Sequence, residues 1–327
     1  NPVPEAVIKD CIQELKPFTY IFFGYYFSIR FTPSQKSTLK LNLVIASICV
    51  FIDVTFFRNG GSTYFFELPL EIGMICFSYA LLYYFLSDRS KKDTIVCCMI
   101  LVLGLTCTRT KYYGEFLLFM FMLFAIKRKL KVSFKYIVMI GLIVIAIYYI
   151  AITKFVFYFI ESDTAARSVL YRYMPTMLID YFPFGTGLGS YASHVSGEFY
   201  SPLYYKYGLD GYYGMSPTYY SFIADTYFPV LAEFGILGII LFVWFWYRRI
   251  KEILILGDYN LKYYKCGLLI IGMVTIESVA GPVFVMSWGF IPLITLGFIC
   301  REGRPFVRYR RLTHEKDKNL NVPDCSK

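Results

Sequence analysis

Apolar side chains run along this sequence in long blocks, not in the alternation of a half-buried strand or the narrow stripe of a surface helix. Blocks at 39–57, 72–86, 136–153, 228–247 and 266–280 approach or reach the roughly 20 residues that a helix needs to cross a hydrocarbon core. With the shorter runs they predict about nine spans, near 17–29, 39–57, 69–86, 94–107, 115–126, 136–153, 227–247, 264–281 and 284–300. The expected fold class is all-α: a polytopic transmembrane helical bundle with one large, partly helical periplasmic loop. Residues 1–154 would form the first part of the bundle, 155–226 the loop, 227–300 the C-terminal transmembrane helices and 301–327 a basic cytoplasmic tail.

Composition agrees. The chain is 57% hydrophobic and only 17% charged, with a mean hydropathy of +0.51, far from a soluble domain of this length. Lysine and arginine then set the orientation. Under the nine-span reading most of the 33 basic residues fall in alternate connections: Arg30 to Lys40, Arg89 to Lys92, Lys127 to Lys135, Arg248 to Lys265, and the tail after Cys300. The positive-inside rule makes that side cytoplasmic. The net charge of +10 is thereby explained by topology and anionic lipid, and no nucleic-acid partner is expected. The sequence opens Asn-Pro-Val-Pro. Either the chain is the later part of a longer protein, or 17–29 lies at the interface without spanning.

Chemistry is sparse. Most of the nine cysteines sit in apolar runs and the long loop has none, so neither a disulfide framework nor a metal site is expected. Two features stand out. Arg109 and Lys111 occupy a short break between two spans, on the outer side. Positive charge is usually kept on the other side, and it is costly near lipid unless an anion meets it. The 155–226 excursion is far longer than ordinary connections and dense in tyrosine, whose flat face and polar tip suit either a membrane interface or a sugar ring.

Within the loop, Ser162 or Thr164 is a candidate N-cap for a helix that Pro175 would bend or end. Arg167 and Tyr171 share a face of that helix, while Arg172 lies about 140° round from Arg167. Arg172 is either a headgroup or substrate contact or simply solvated. Asp180-Tyr-Phe-Pro-Phe-Gly-Thr-Gly-Leu-Gly-Ser190 carries glycines at alternate positions. It reads equally as a phosphate-cradling loop or as a tight turn packing the loop onto the bundle. Asp225 is either a group that orients or deprotonates a hydroxyl or an N-cap for the following span. Acids at the outer ends of spans, Asp53, Glu67, Glu71, Glu115, Glu233 and Glu277, are candidates to pair with Arg58, Arg109 or Arg167.

The order of these parts resembles a known family. A basic break between spans, an arginine-led helix, a Pro-x-Gly-x-Gly-x-Gly stretch, then Leu231-Ala-Glu-Phe-Gly-Ile-Leu-Gly238 entering a span is similar to the O-antigen polymerase and O-antigen ligase superfamily of bacterial inner-membrane proteins. The likeness covers roughly residues 90–250. It implies a glycosyltransferase without metal or cofactor, whose donor is an oligosaccharide on undecaprenyl diphosphate. An acceptor hydroxyl attacks the anomeric carbon and the lipid diphosphate leaves. It also implies an inner-membrane location, contact with membrane lipids and a chain-length regulator protein as a partner.

By the same likeness, Arg109 matches the arginine of the external break and Arg167 the arginine opening the loop helix. Together they would clamp the diphosphate, since guanidinium presents a permanent cation with bidentate geometry. Asp225 completes the catalytic set. Lys111, Tyr112, Tyr171, Arg172 and His194 are the substrate-binding candidates. The ligase branch has a His-Asn pair where this chain reads Ala224-Asp225-Thr226-Tyr227, which favours the polymerase branch. The alternatives are an O-antigen ligase, a non-enzymatic transporter of lipid-linked oligosaccharide, and a structural membrane subunit.

Overall fold

The computed structural model describes residues 3–27, 31–58, 63–66, 69–88, 90–128 and 165–320. The expected span at 136–153, the basic cluster at 129–135, and Ser162, Thr164 and Glu67 lie outside the described residues.

The architecture is all-helical; the described residues add only one isolated bridge, Ser216 to Tyr219. The helices are α1 (Pro4–Tyr26), α2 (Pro33–Phe56), α3 (Pro69–Leu86), α4 (Lys91–Gly104), α5 (Thr110–Phe124), α6 (Ala166–Asp180), α7 (His194–Glu198), α8 (Pro202–Lys206), α9 (Gly235–Leu256), α10 (Leu261–Val279) and α11 (Phe290–Leu320). A 3-10 stretch, Phe228–Phe234, leads into α9. Among the described residues two stretches are long and apolar enough to cross a membrane: Pro33–Phe56, of 24 residues, and Phe228–Leu256, of 29.

Helix starts follow local chemistry. Thr32 and Gln35 form a reciprocal capping box ahead of α2, with Pro33 in the first turn. Ser90 and Asp93 do the same for α4. Asn260 caps α10 by accepting from the Tyr263 amide. Two helices are longer than the spans expected within them. The first begins at Pro4, ahead of the expected span at 17–29, and Asp10 and Glu14 on its early turns are buried against later parts of the chain. The last runs on to Leu320, so the basic segment after 300 begins as helix.

α3 is the central helix: Ile72, Met74, Cys76, Phe77, Ala80 and Leu81 are all buried. Around it pack α2, α4, α5, α10 and α11. The outward faces of α2, α4 and α9 carry Phe51, Ile52, Met99, Val102, Leu241 and Trp244, all exposed. Apolar faces this extensive call for an apolar surrounding.

Long-range contacts sort the bundle into two ends. At one end Lys40 pairs with Asp93, Lys262 donates to the Ser87 carbonyl, and Arg304 donates to the Tyr25 hydroxyl. At the other end Arg58 donates to the Thr106 carbonyl and Lys111 reaches the C-terminal end of α10. The loop docks at this second end, where Lys9 of α1 pairs with Glu198. The described basic groups of the alternate connections thus gather opposite the loop.

The most extensive helix pair is α1 with α11, crossing at Gly24 and Gly297. A Cβ on Gly24 would lie 2.0 Å from the Ile294 carbonyl oxygen, and one on Gly297 2.1 Å from that of Ile21. Small residues of this kind let two backbones touch in an apolar medium. Gly297→Leu is expected to cost about 3 kcal/mol or more, read as a lowered thermal midpoint in detergent. Leu296→Ile, one position away, should shift it far less.

Candidate functional site

At the loop end, the described part of the excursion is a small unit with its own core. Val169, Leu170, Met177, Tyr191, Tyr204, Leu209, Met215 and Ile223 are fully buried there. Many of the loop tyrosines serve this core. The Tyr191 hydroxyl donates to the Leu170 carbonyl at 2.6 Å, and Tyr204 meets Ser196 Oγ at 2.7 Å. Burial raises both phenols well above the usual range. Tyr205, Tyr213 and Tyr219 are exposed.

The glycine-rich stretch resolves as packing. Gly189 N–H donates to Asp10 Oδ2 at 2.8 Å. The amides of Ser190 and Tyr191 donate to Glu233 Oε1 at 2.8 and 2.7 Å, and those of Thr186 and Gly187 to the carbonyls of Ala232 and Glu233. Five amides that would face an anion are already engaged, so the phosphate-cradle reading is set aside. Gly185 (φ +82°) and Gly235 (φ +63°) face each other; a Cβ on Gly185 would lie 2.2 Å from Gly235 N. Gly185→Ala is therefore expected to loosen the loop from the bundle. The check is faster limited proteolysis between residues 181 and 235, with Gly208→Ala, where a Cβ meets nothing within 4 Å, as the milder comparison.

Two of the predicted residues, Lys111 and Tyr171, meet at one turn, the end of α10 at Val279–Gly281. Lys111 Nζ donates to Glu277 Oε2 and to the Ala280 carbonyl, both at 2.7 Å. On α6, Tyr171 donates its hydroxyl to the Val279 carbonyl at 2.9 Å; its phenol is pushed up to about 12, chiefly by burial. One turn earlier on the same face, Arg167 Nη2 pairs with Asp225 Oδ2. The Tyr227 amide in turn donates to the Ser278 carbonyl at 3.1 Å.

Other placements depart from expectation. The helix holding Arg167 has Ala165 at its N-cap and continues through Pro175 to Asp180. Asp225 caps no helix: Tyr227 holds the N-cap position of Phe228–Phe234, and the Asp225 carboxylate is engaged by Arg167. Arg172 is exposed, off the Arg167–Tyr171 face. Arg109 is the N-cap residue of α5 and exposed, with no ion pair to a described acid. Glu115 lies buried beside Glu277 and Lys111, not against Arg109. Tyr112 is corrected from a substrate contact to a core residue, 0% exposed, its hydroxyl donating to the Leu101 carbonyl at 2.8 Å.

Two cavities share Glu14 and Tyr227 in their walls. A recess of about 220 Å³, with mostly apolar walls, lies between α1, the loop and the 282–286 connection; Glu14, Lys16, His194, Tyr227 and Pro282 line it. His194 stands exposed at its rim, and Ala224, which also lines it, precedes Asp225 in the chain. Below it an apolar cavity of about 400 Å³ between α1 and α9 is lined by Leu15, Phe18, Leu241 and Phe245, and also by Glu14 and Tyr227. Asp10, Glu14 and Lys16 were missed in the sequence because their partners lie far away in the chain; the local signal was Asp10 and Glu14, four residues apart on one helix face, before an apolar run. Among the described residues no group of three or more His, Cys, Asp or Glu side chains is placed to hold a metal ion. No protein-family model, curated protein or solved structure matches the chain.

Proposed function

We propose that this chain is a membrane-embedded glycosyltransferase of the polymerase type. It joins oligosaccharide repeat units carried on undecaprenyl diphosphate, on the outer face of a bacterial inner membrane. The loop end of the bundle faces the periplasm and the basic end the cytoplasm, as the positive-inside rule requires. The nine-span topology and the likeness to the O-antigen polymerase superfamily belong to this reading.

One observation carries it. Two basic segments far apart in sequence, Arg109–Lys111 and Arg167–Tyr171, meet at the same turn of α10, beside a recess of one sugar ring's scale. A third space suits the lipid: an apolar-walled cleft of about 1160 Å³ runs along α4 from Lys91 to Thr106. Its loop-side end stands three residues from Arg109.

In this reading the charge developing on the leaving diphosphate is met by Arg109 and by Arg167, the latter held in place by Asp225 before the reaction. Asp225 aims Arg167 and is a positioning residue. Lys111 is committed to Glu277 and supports the turn. The test is the purified protein in lipid nanodiscs with a polyprenyl-diphosphate-linked oligosaccharide. A ladder of products with release of the lipid diphosphate is expected. Bound donor with no turnover would favour a transporter and overturn the proposal.

A further inference from the structure

We infer that Glu14 is the general base of the transfer, accepting the proton of the acceptor hydroxyl inside the 220 Å³ recess. The inference rests on the glycosyl-transfer reading and adds the group that it lacks, since Asp225 is engaged by Arg167.

Glu14 sits at the meeting of the recess and the apolar cavity and lines both. It is only 6% exposed. Its Oε2 accepts from the buried Tyr227 hydroxyl at 3.0 Å, which fixes the carboxyl's orientation. Its Oε1 has no hydrogen-bond partner among the described residues. Burying a carboxyl group is costly, and Tyr227 occupies only one of its two oxygens. The recess also adjoins the reacting groups along the chain. Ala224, in its wall, precedes Asp225, and Pro282, in the same wall, follows the Ala280–Gly281 turn that Lys111 holds.

The surroundings tune the group. Asp10 one turn earlier on α1 repels its charge, with Glu233 standing against Asp10. Lys16 on α1 and the Tyr227 hydroxyl favour the charge, and His194 faces the same recess. Burial outweighs these and, with Asp10, raises the carboxyl to about 8. A base with that value is poised near the working pH.

The step balances. The acceptor O–H proton passes to the Glu14 carboxylate and the freed oxygen bonds to the anomeric carbon. The bond from that carbon to the diphosphate oxygen breaks, and its electron pair leaves with the diphosphate. Only deprotonated Glu14 acts, so the rate should climb as pH rises and level off above about 8.

The experiment measures initial rates of transfer by the purified full chain in nanodiscs, from mildly acidic to alkaline pH. Wild type should show that limb, half-maximal near 8. Glu14→Gln keeps the side chain's size and an acceptor for Tyr227. It should lower kcat roughly 100-fold or more, leave KM little changed and abolish the limb. Tyr227→Phe, which removes a contact favouring the charged carboxylate, should move the limb to higher pH, and it decides the matter if Glu14→Gln does not fold. An active Glu14→Gln with the wild-type limb overturns this inference alone, as does Tyr227→Phe with an unmoved limb. A wild type that binds donor yet transfers nothing overturns the parent reading, and this one with it.

Discussion

Lys111→Ala is expected to destabilise the protein by about 3–5 kcal/mol, the penalty of leaving a buried charge without its partner. The Lys111 ammonium meets Glu277, which is 1% exposed, and also holds the Ala280 carbonyl. Glu115, wholly buried, stands beside the same pair. Removing the ammonium leaves two carboxyl groups facing each other in an apolar surrounding. Lys111→Met with Glu277→Gln should recover most of the loss, because a neutral pair of similar size needs no counter-charge. Thermal unfolding in detergent, followed by tryptophan fluorescence, reads both variants. If Lys111→Ala melts with the wild type while donor binding collapses, the lysine is a substrate contact and its structural assignment is wrong.

Arg167→Ala is expected to fold and to lose roughly 100-fold or more in transfer rate, so that ladders of polymerised glycan shrink to single repeats. Arg167→Lys should recover little, since an ammonium cannot present the planar fork that a diphosphate oxygen pair takes. Asp225→Asn should fall between them. It keeps Arg167 in place less firmly without removing the cation, and its side chain is 40% exposed, so its loss should leave stability nearly untouched. Arg109→Ala, at an exposed N-cap position, should also lower kcat, by less than Arg167→Ala. Undiminished ladders in both alanine variants would refute the clamp.

How much of this was legible beforehand depends on whether the deciding contact is local. α2, α3 and α10 lie close to their expected spans, because an uninterrupted apolar run and a capping residue specify a helix without help from elsewhere. The Arg167–Tyr171 face was legible for the same reason: helical spacing alone places them together. The start of α1 was not. Its first turns carry Glu5, Lys9, Asp10 and Glu14, which read as solvated until Gly189, Glu198 and Tyr227 arrive from the other half of the chain. Nor was the use of the glycine run, whose amides suit an anion or a carboxylate equally well; Asp10 and Glu233 decide for the carboxylates. Tyr112 and Arg167 are both polar groups near a span end. Only the tertiary structure separates the one turned inward onto Leu101 from the one held at the surface by Asp225.

The contact at Gly24 and Gly297 has a consequence for biogenesis. Under the nine-span reading α1 enters the bilayer during synthesis and waits for a mate that the ribosome makes much later. In the interval its flat glycine-bearing side is open to chaperones, to quality-control proteases and to stray helices of other proteins. A nascent chain arrested before residue 290 should therefore be degraded quickly, and supplying the missing last helix as a separate peptide should lengthen its life.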